Sequence, residues 1–222
     1  MSNEAKGSAG VPPAVAGASR PRFGEVTIRN RGRLPHWEKE GATYFITFRL
    51  GDSLPKSVLE QIESERRAIV TTAKGLHREL SPEERTTIQR LSTPIIEQFL
   101  DTGAGACHLS NPWIAEEVAN ALRHFDGKRY LLFAWCVMPN HVHVLVRLFP
   151  TQNLAAVVHS WKSFSAKRAN AILGAQGSFW QREYYDHLVR DEAEFERAVR
   201  YVAENPIKAN LKGWGWVWVR GR

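Results

Sequence analysis

His141-Val142-His143 sets two imidazoles two residues apart. On a β-strand that spacing projects both from one face, with their Cα atoms about 7 Å apart, while Val142, Val144 and Val146 face the other way. Imidazoles so placed can hold one divalent cation from two sides, and they accept magnesium or manganese when amide, carboxylate or phosphate oxygens complete the shell. A half-exposed strand with two incidental histidines would read the same, so the pair alone does not decide. Tyr201 and Asn205 stand four apart, which stacks them along one edge of a helix whose apolar stripe is Phe195, Ala198, Val199 and Val202. A phenol with an ordinary pKa of about 10 is a poor nucleophile, and a cation that polarises a phosphate and favours phenoxide makes it a better one. The Asn205 amide oxygen can be that cation's third ligand. The same two residues also fit an interfacial aromatic and a helix end before Pro206, because a residue preceding proline avoids helical geometry.

These side chains need a sheet and a helix to position them. Tyr44–Leu50 is dense in aromatic and β-branched residues and is followed by Gly51-Asp52-Ser53, which predicts a first strand and its turn. Tyr130 to Val137 is a nearly unbroken apolar run, as expected of a strand buried on both faces; Met138-Pro139-Asn140 turns it into a second strand from His141 to Leu148. Between these strands, residues 55–100 read as a helical insertion of two helices. Residues 106–109 read as a short strand, and Asn111 or Pro112 opens a helix. A helix over 153–173 turns Leu154, Val157, Val158, Trp161, Phe164 and Ser165 inward and leaves Lys162, Lys167 and Arg168 for solvent or phosphate. A last helix runs from Asp191 to Glu204. Trp214, Trp216 and Trp218 alternate like one face of a terminal strand, where burial of at least two is expected.

The chain has 222 residues, 43% of them hydrophobic, and a formal net charge of +7. That bounds it to one compact domain and favours a polyanionic partner, since clustered Lys and Arg release counterions from phosphates. Residues 1–32 read as a disordered basic tail and 33–222 as the folded domain, with Arg33 among the arginines at its entry, where a basic arm could lie along a phosphate backbone. Cys107 and Cys136 form neither a disulfide framework nor a zinc motif, which fits a reducing cytosol. The longest apolar run falls well short of the roughly 20 residues that cross a bilayer, and no export signal opens the chain.

Three stretches carry a resemblance: Ala134 to Val146, containing Met-Pro-Asn-His-Val-His-Val; Phe179 to Arg190, containing Trp-Gln-Arg-Glu-Tyr-Tyr-Asp-His; and Tyr201 to Leu211, containing Glu-Asn-Pro-Ile-Lys-Ala-Asn. In that order they closely resemble the REP-associated tyrosine transposases, relatives of the single-tyrosine HUH transposases of small insertion sequences, over roughly residues 33 to 212. The resemblance implies an α+β fold with a ferredoxin-like βαββαβα core, a mostly antiparallel sheet with helices on one face. It implies that His141, His143 and Asn205 bind Mg²⁺ or Mn²⁺ and that Tyr201 attacks a DNA phosphate, leaving a 5′-phosphotyrosine and a free 3′-hydroxyl. The implied partner is single-stranded or hairpin DNA, notably repetitive extragenic palindromes, on the cytoplasmic bacterial nucleoid, with the site built in one chain or across a homodimer. Trp180, Arg182 and His187, with Lys162, Lys167, Arg168 and Arg33, are candidates to contact that DNA. Tyr184 and Tyr185 are rival nucleophiles, less suited because no amide or carboxylate stands at the matching offset. A hairpin-binding protein without catalysis and a metal-dependent RNA endonuclease are the alternatives.

Overall fold

Two apolar runs of the second half of the sequence become the middle of the sheet. The computed structural model describes residues 27–31, 34–38, 41–81, 83–84, 87, 96, 99–100 and 102–221. Arg33 and the tail before residue 27 lie outside them. A hairpin of β1 (Thr27–Arg31) and β2 (Leu34–Glu38) precedes β3 (Thr43–Arg49), so ordered strand begins ahead of the boundary expected at residue 33. The main sheet contains β3, β4 (Tyr130–Val137), β5 (His141–Leu148), β6 (Tyr185–Leu188) and β7 (Val217–Val219), in the order β6-β3-β5-β4-β7, all antiparallel. The Met138–Asn140 turn is closed by Met138 N–H donating to the His141 carbonyl at 2.8 Å.

The helices are α1 (Lys56–Gly75), α2 (Pro112–Arg123), α3 (Leu154–Leu173) and α4 (Glu192–Lys208). Taken as β3-α2-β4-β5-α3-β6, the chain is a βαββαβ unit with spatial order β6-β3-β5-β4, the ferredoxin-like arrangement, to which α4 and the edge strand β7 are added. Starts are set by short polar side chains that accept otherwise orphaned N–H groups. Asn111 accepts from Trp113 N–H, with Pro112 at the first helical position; Asn153 accepts from Ala156 and Asp191 from Glu194.

One sheet face buries Tyr44, Ile46, Phe48, Val142, Val144 and Val146 against α2 and α3, with Trp161 at the centre. The Trp161 Nε1–H donates to the Tyr130 hydroxyl at 2.8 Å, which donates to the Leu122 carbonyl at 2.7 Å, so the polar ends of both rings are satisfied inside the core. The opposite face buries Cys136, Leu145 and Val189 against Val202, Phe195, Ala198 and Val199 of α4. The last helix therefore packs on the side from which His141 and His143 project.

Several expectations are revised. Phe164 is 49% exposed, because it lies at the edge of the α3 stripe, where the turn of the helix carries it past the sheet. Residues 106–109 form no strand; Cys107 takes a left-handed conformation (φ 50°) and starts a 3₁₀ turn over His108–Ser110. The last helix continues through Asn205 and Pro206 to Lys208, its end held by Ala209 N–H donating to the Asn205 carbonyl and Leu211 N–H to the Pro206 carbonyl. Of the 55–100 insertion, α1 is described as a continuous helix; the second expected helix falls largely outside the described residues.

Candidate active site

His141 and His143 lie at the start of β5, opposite Arg49 and Thr47 of β3. Both are buried, and their Nε2 atoms meet at 3.0 Å. The other nitrogen of each ring is tied. His141 Nδ1 is 2.7 Å from Asn140 Oδ1 and His143 Nδ1 is 2.8 Å from Thr47 Oγ1. The Asn140 amide is oriented in turn, since its Nδ2–H donates to the Ala104 carbonyl at 2.9 Å. Its Oδ1 can only accept, which assigns the proton of His141 to Nδ1 and leaves Nε2 a bare lone pair. Burial pushes His143 down to about 3 and His141 well below its ordinary value, with the neighbouring His143 adding to the burial effect on His141. Both rings are neutral at physiological pH, the form in which imidazole binds a metal.

The loop that supplies the Ala104 carbonyl is fitted closely over the turn after β3. Ala106 N–H donates to Asp52 Oδ2 at 2.8 Å, and Gly105 adopts φ +91°; a Cβ there would stand 2.7 Å from the Asp52 carbonyl oxygen. Only glycine combines that backbone conformation with that approach.

Tyr201 is set against the histidines by three contacts. Its ring meets His143 edge-on at 5.2 Å and Phe45 edge-on at 5.7 Å, Phe45 stacks on His143 at 5.4 Å, and the Lys208 Nζ lies 5.2 Å from the Tyr201 ring centre. One turn further along α4, Asn205 is 2% exposed and its Oδ1 has no hydrogen-bond partner. A buried carbonyl oxygen without a donor is costly and calls for a partner of another kind.

Imidazole nitrogens and an amide oxygen are ligand types that a divalent cation accepts. Two ligand nitrogens about 2.1 Å from one ion and at a right angle lie about 3 Å apart, the octahedral separation expected for magnesium-like ions. Among the described residues no group of three or more His, Cys, Asp or Glu is placed to hold a metal, so an oxygen ligand such as the Asn205 amide is needed beside the imidazoles.

The DNA-contact candidates separate. Lys167 and Arg182 are exposed, while Arg168 pairs with Glu117 across α2 and α3 at 2.7 Å. His187 is bound to Glu194 Oε1 at 2.7 Å, and the other oxygen of that carboxylate accepts from Arg190 N–H, so the imidazole fastens β6 to the start of α4. Trp180 is 4% exposed, packs edge-on to Phe48 and donates to Ser165 Oγ at 3.0 Å. It is a core residue with no open face for a base, a correction to its reading as a DNA contact. Lys162 is half-buried and donates to the carbonyls of Gln181 and Arg182. Tyr185 lies opposite Thr47, on the histidine face but at the sheet edge. Thr47, Asn140, Phe45 and Arg49 were not singled out in the sequence. The places of Thr47, Phe45 and Arg49 follow from strand register, which no local spacing encodes, whereas Asn140 acts on its sequence neighbour His141.

The family model described as "Transposase IS200 like" matches residues 108–205, the segment from the turn before α2 to Asn205. That segment is similar to the IS200-like transposases. It contains His141, His143, Tyr201 and Asn205, so the family resemblance read from the sequence rests on the same residues that the fold gathers. A Haemophilus influenzae Rd protein that carries the name REP-associated tyrosine transposase is 25% identical over 88 residues, 34% of this chain and 48% of the relative. An uncharacterized protein of the same organism is 25% identical over 95 residues, 32% of this chain and 51% of the relative. The chain thus spans about half the length of these curated relatives. A solved REP-associated tyrosine transposase bound to a REP hairpin is 16% identical with a TM-score of 0.42, covering 82% of this chain and 79% of that one. Among the described residues no helix is long and apolar enough to cross a membrane.

Proposed function

We propose that this chain is a metal-dependent DNA nuclease and strand transferase acting on single-stranded or hairpin DNA, including repetitive extragenic palindromes, on the cytoplasmic nucleoid. The observation that carries the proposal is the contact of the Tyr201 ring with His143, whose bare-edged partner His141 meets it at 3.0 Å. His141, His143 and Asn205 would hold Mg²⁺ or Mn²⁺, which when bound polarises a phosphate oxygen and favours phenoxide over phenol. Tyr201 Oη forms a bond to phosphorus, the bond from phosphorus to the 3′ oxygen breaks, and the phenol proton leaves as the 3′ oxygen gains one. The product is a 5′-phosphotyrosine with a free 3′-hydroxyl. The exchange conserves phosphodiester energy, so the same hydroxyl, or another, can reverse it. A nucleophile carried on a rigid helix needs one exposed phosphate in line with its leaving oxygen, which favours unpaired or hairpin strands over duplex.

The test is incubation of the full chain with labelled single-stranded hairpins from the DNA flanking its own gene and Mn²⁺, followed by denaturing gels and peptide mapping. A chelator-sensitive protein–DNA adduct on Tyr201 is expected. Hairpin binding without adduct or cleavage would replace this reading with a regulatory hairpin-binding protein, and cleavage without adduct would point to a water-activating nuclease.

Asn140 positions His141 in this scheme without touching the cation. Asn140→Ala removes the acceptor that fixes the His141 tautomer, and Mn²⁺ affinity measured by calorimetry is expected to fall about 10–100-fold. An unchanged affinity would show that the tautomer is set elsewhere.

A further inference from the structure

Arg49, the last residue of β3, is 8% exposed and yet has only a neutral partner: its Nη1–H donates to Ser53 Oγ at 3.2 Å. Ser53 is itself buried and its hydroxyl donates to the Leu50 carbonyl, so it brings no charge. Among the described residues no carboxylate pairs with Arg49. A guanidinium has five donors in a planar fork, and enclosing it with one hydroxyl leaves both its charge and most of its donors uncompensated. Burial alone lowers Arg49 to about 10.

A second, half-buried cation, Lys162 of α3, is linked to it through the backbone of Gln181. Gln181 joins the two, its N–H donating to the Arg49 carbonyl at 2.9 Å and its carbonyl accepting from Lys162 Nζ at 2.7 Å. Lys162 also donates to the Arg182 carbonyl at 2.8 Å and lies 6.0 Å from the centre of the Tyr184 ring, with two of its three N–H groups spent on the carbonyls. Burial brings Lys162 down to about 8; Glu183 opposes the fall and the charge of Arg49 adds to it. Gathering two like charges in a water-poor spot raises the folding cost of each, and structural ion pairs are not built that way. Arg49 lies directly opposite His141 in the β3–β5 register, on the histidine face of the sheet, where the strand pair brings side chains within about 5 Å at Cβ.

We infer that Arg49 and Lys162 form a built anion site that holds a backbone phosphate of the DNA strand flanking the one attacked by Tyr201. The inference rests on the DNA reading above. A phosphodiester supplies the planar pair of oxygens that a guanidinium fork takes in bidentate fashion, and Lys162 adds its remaining donor from the other side. Gripping the neighbouring phosphate fixes the strand beside the histidines while contributing nothing to base recognition.

The test uses the full chain, wild type and Arg49→Met, with hairpins carrying one neutral methylphosphonate at successive positions around the cleavage site. Arg49→Met is expected to weaken hairpin binding about tenfold or more, the effect of losing a charge-assisted contact. One methylphosphonate position should weaken the wild type to the same extent and add nothing to the loss in Arg49→Met. The melting temperature of the DNA-free variant should hold or rise, because an uncompensated buried charge is gone; a purely structural arginine would lower it. Lys162→Met should single out the same phosphate, which keeps the inference open to test if Arg49→Met does not fold. Separately, inorganic pyrophosphate should raise the melting temperature of the wild type and leave Arg49→Met unmoved. Unchanged DNA affinity, an additive methylphosphonate loss, or no pyrophosphate response in the wild type would overturn the site. Pyrophosphate stabilisation without any hairpin binding would instead overturn the DNA reading and leave the anion site standing.

Discussion

Tyr201→Phe is expected to abolish covalent capture of hairpin DNA, with single-turnover cleavage in Mn²⁺ falling at least about 10³-fold and hairpin affinity unchanged. The substitution removes one oxygen and keeps the ring. The contacts that seat the ring, edge-on to His143 and Phe45 and beneath Lys208 Nζ, are contacts of the ring itself. The histidine pair, its Asn140 and Thr47 partners and the Arg49–Lys162 cations remain as they were. Loss of turnover with binding intact therefore isolates the nucleophile from the scaffold. Persistence of an adduct in the variant would move the chemistry to Tyr185, which shares the histidine face through its pairing with Thr47. Persistence of cleavage with loss of the adduct would assign the attack to water.

The parts of this site legible in the sequence are those encoded by local periodicity. The apolar run gives β4 to the residue, because a strand buried on both faces carries few polar residues, and the turn at Met138–Asn140 sets the start of β5. Alternation puts His141 and His143 on one side and Val142 and Val144 on the other, and the helical stripe of Phe195, Ala198, Val199 and Val202 turns Tyr201 and Asn205 toward that same side. Asn153 and Asp191, read as the first residues of their helices, are the caps just before them. What the sequence withholds is register. Thr47 and Arg49 lie nearly a hundred positions from the histidines, and nothing in the β3 segment marks them as facing His143 and His141 until the strands are paired. The opposite error arises at Trp180, where a Phe-Trp-Gln-Arg run reads as an aromatic and basic DNA surface. Its bridge to Leu50 and its bond to Ser165 place it in the core instead. Pro206 shows a third limit. Pro206 has no N–H to donate to the Val202 carbonyl and disfavours helix at Asn205, yet the burial of Val202, Asn205 and Pro206 outweighs both and the helix runs on to Lys208.

Those long-range pairings give the site a division of charge that composition alone hides. The histidine pair is neutral; Asn140 fixes the proton of His141, and Thr47 ties the Nδ1 of His143. The cations are displaced to either side, Arg49 at the end of β3 with Lys162 of α3 joined to it through Gln181, and Lys208 beyond the Tyr201 ring. A strand entering such a site meets positive charge for its flanking phosphates and lone pairs where a metal would sit. The net charge of +7 matters less than this placement.

His141→Ala separates the metal proposal from the fold. In the wild type, Mn²⁺ at a hundred times its dissociation constant should stabilise the native state by about 2.7 kcal/mol, a rise in melting temperature of roughly 5–11 °C for a chain of this size. In His141→Ala one of the two facing lone pairs is gone, and Asn140 Oδ1 loses its donor, so the metal-free protein should also melt lower, by about 1–3 kcal/mol of stability. The metal response should vanish, and cleavage of hairpin DNA with it. The two effects differ in kind: destabilisation of the metal-free protein follows from burial alone, whereas the lost Mn²⁺ response follows only if the paired nitrogens bind the ion. A wild type whose melting temperature ignores Mn²⁺ would leave the 3.0 Å contact as an ordinary N–H···N bond between neutral rings. It would also leave the unpartnered Asn205 oxygen without a cation to answer it.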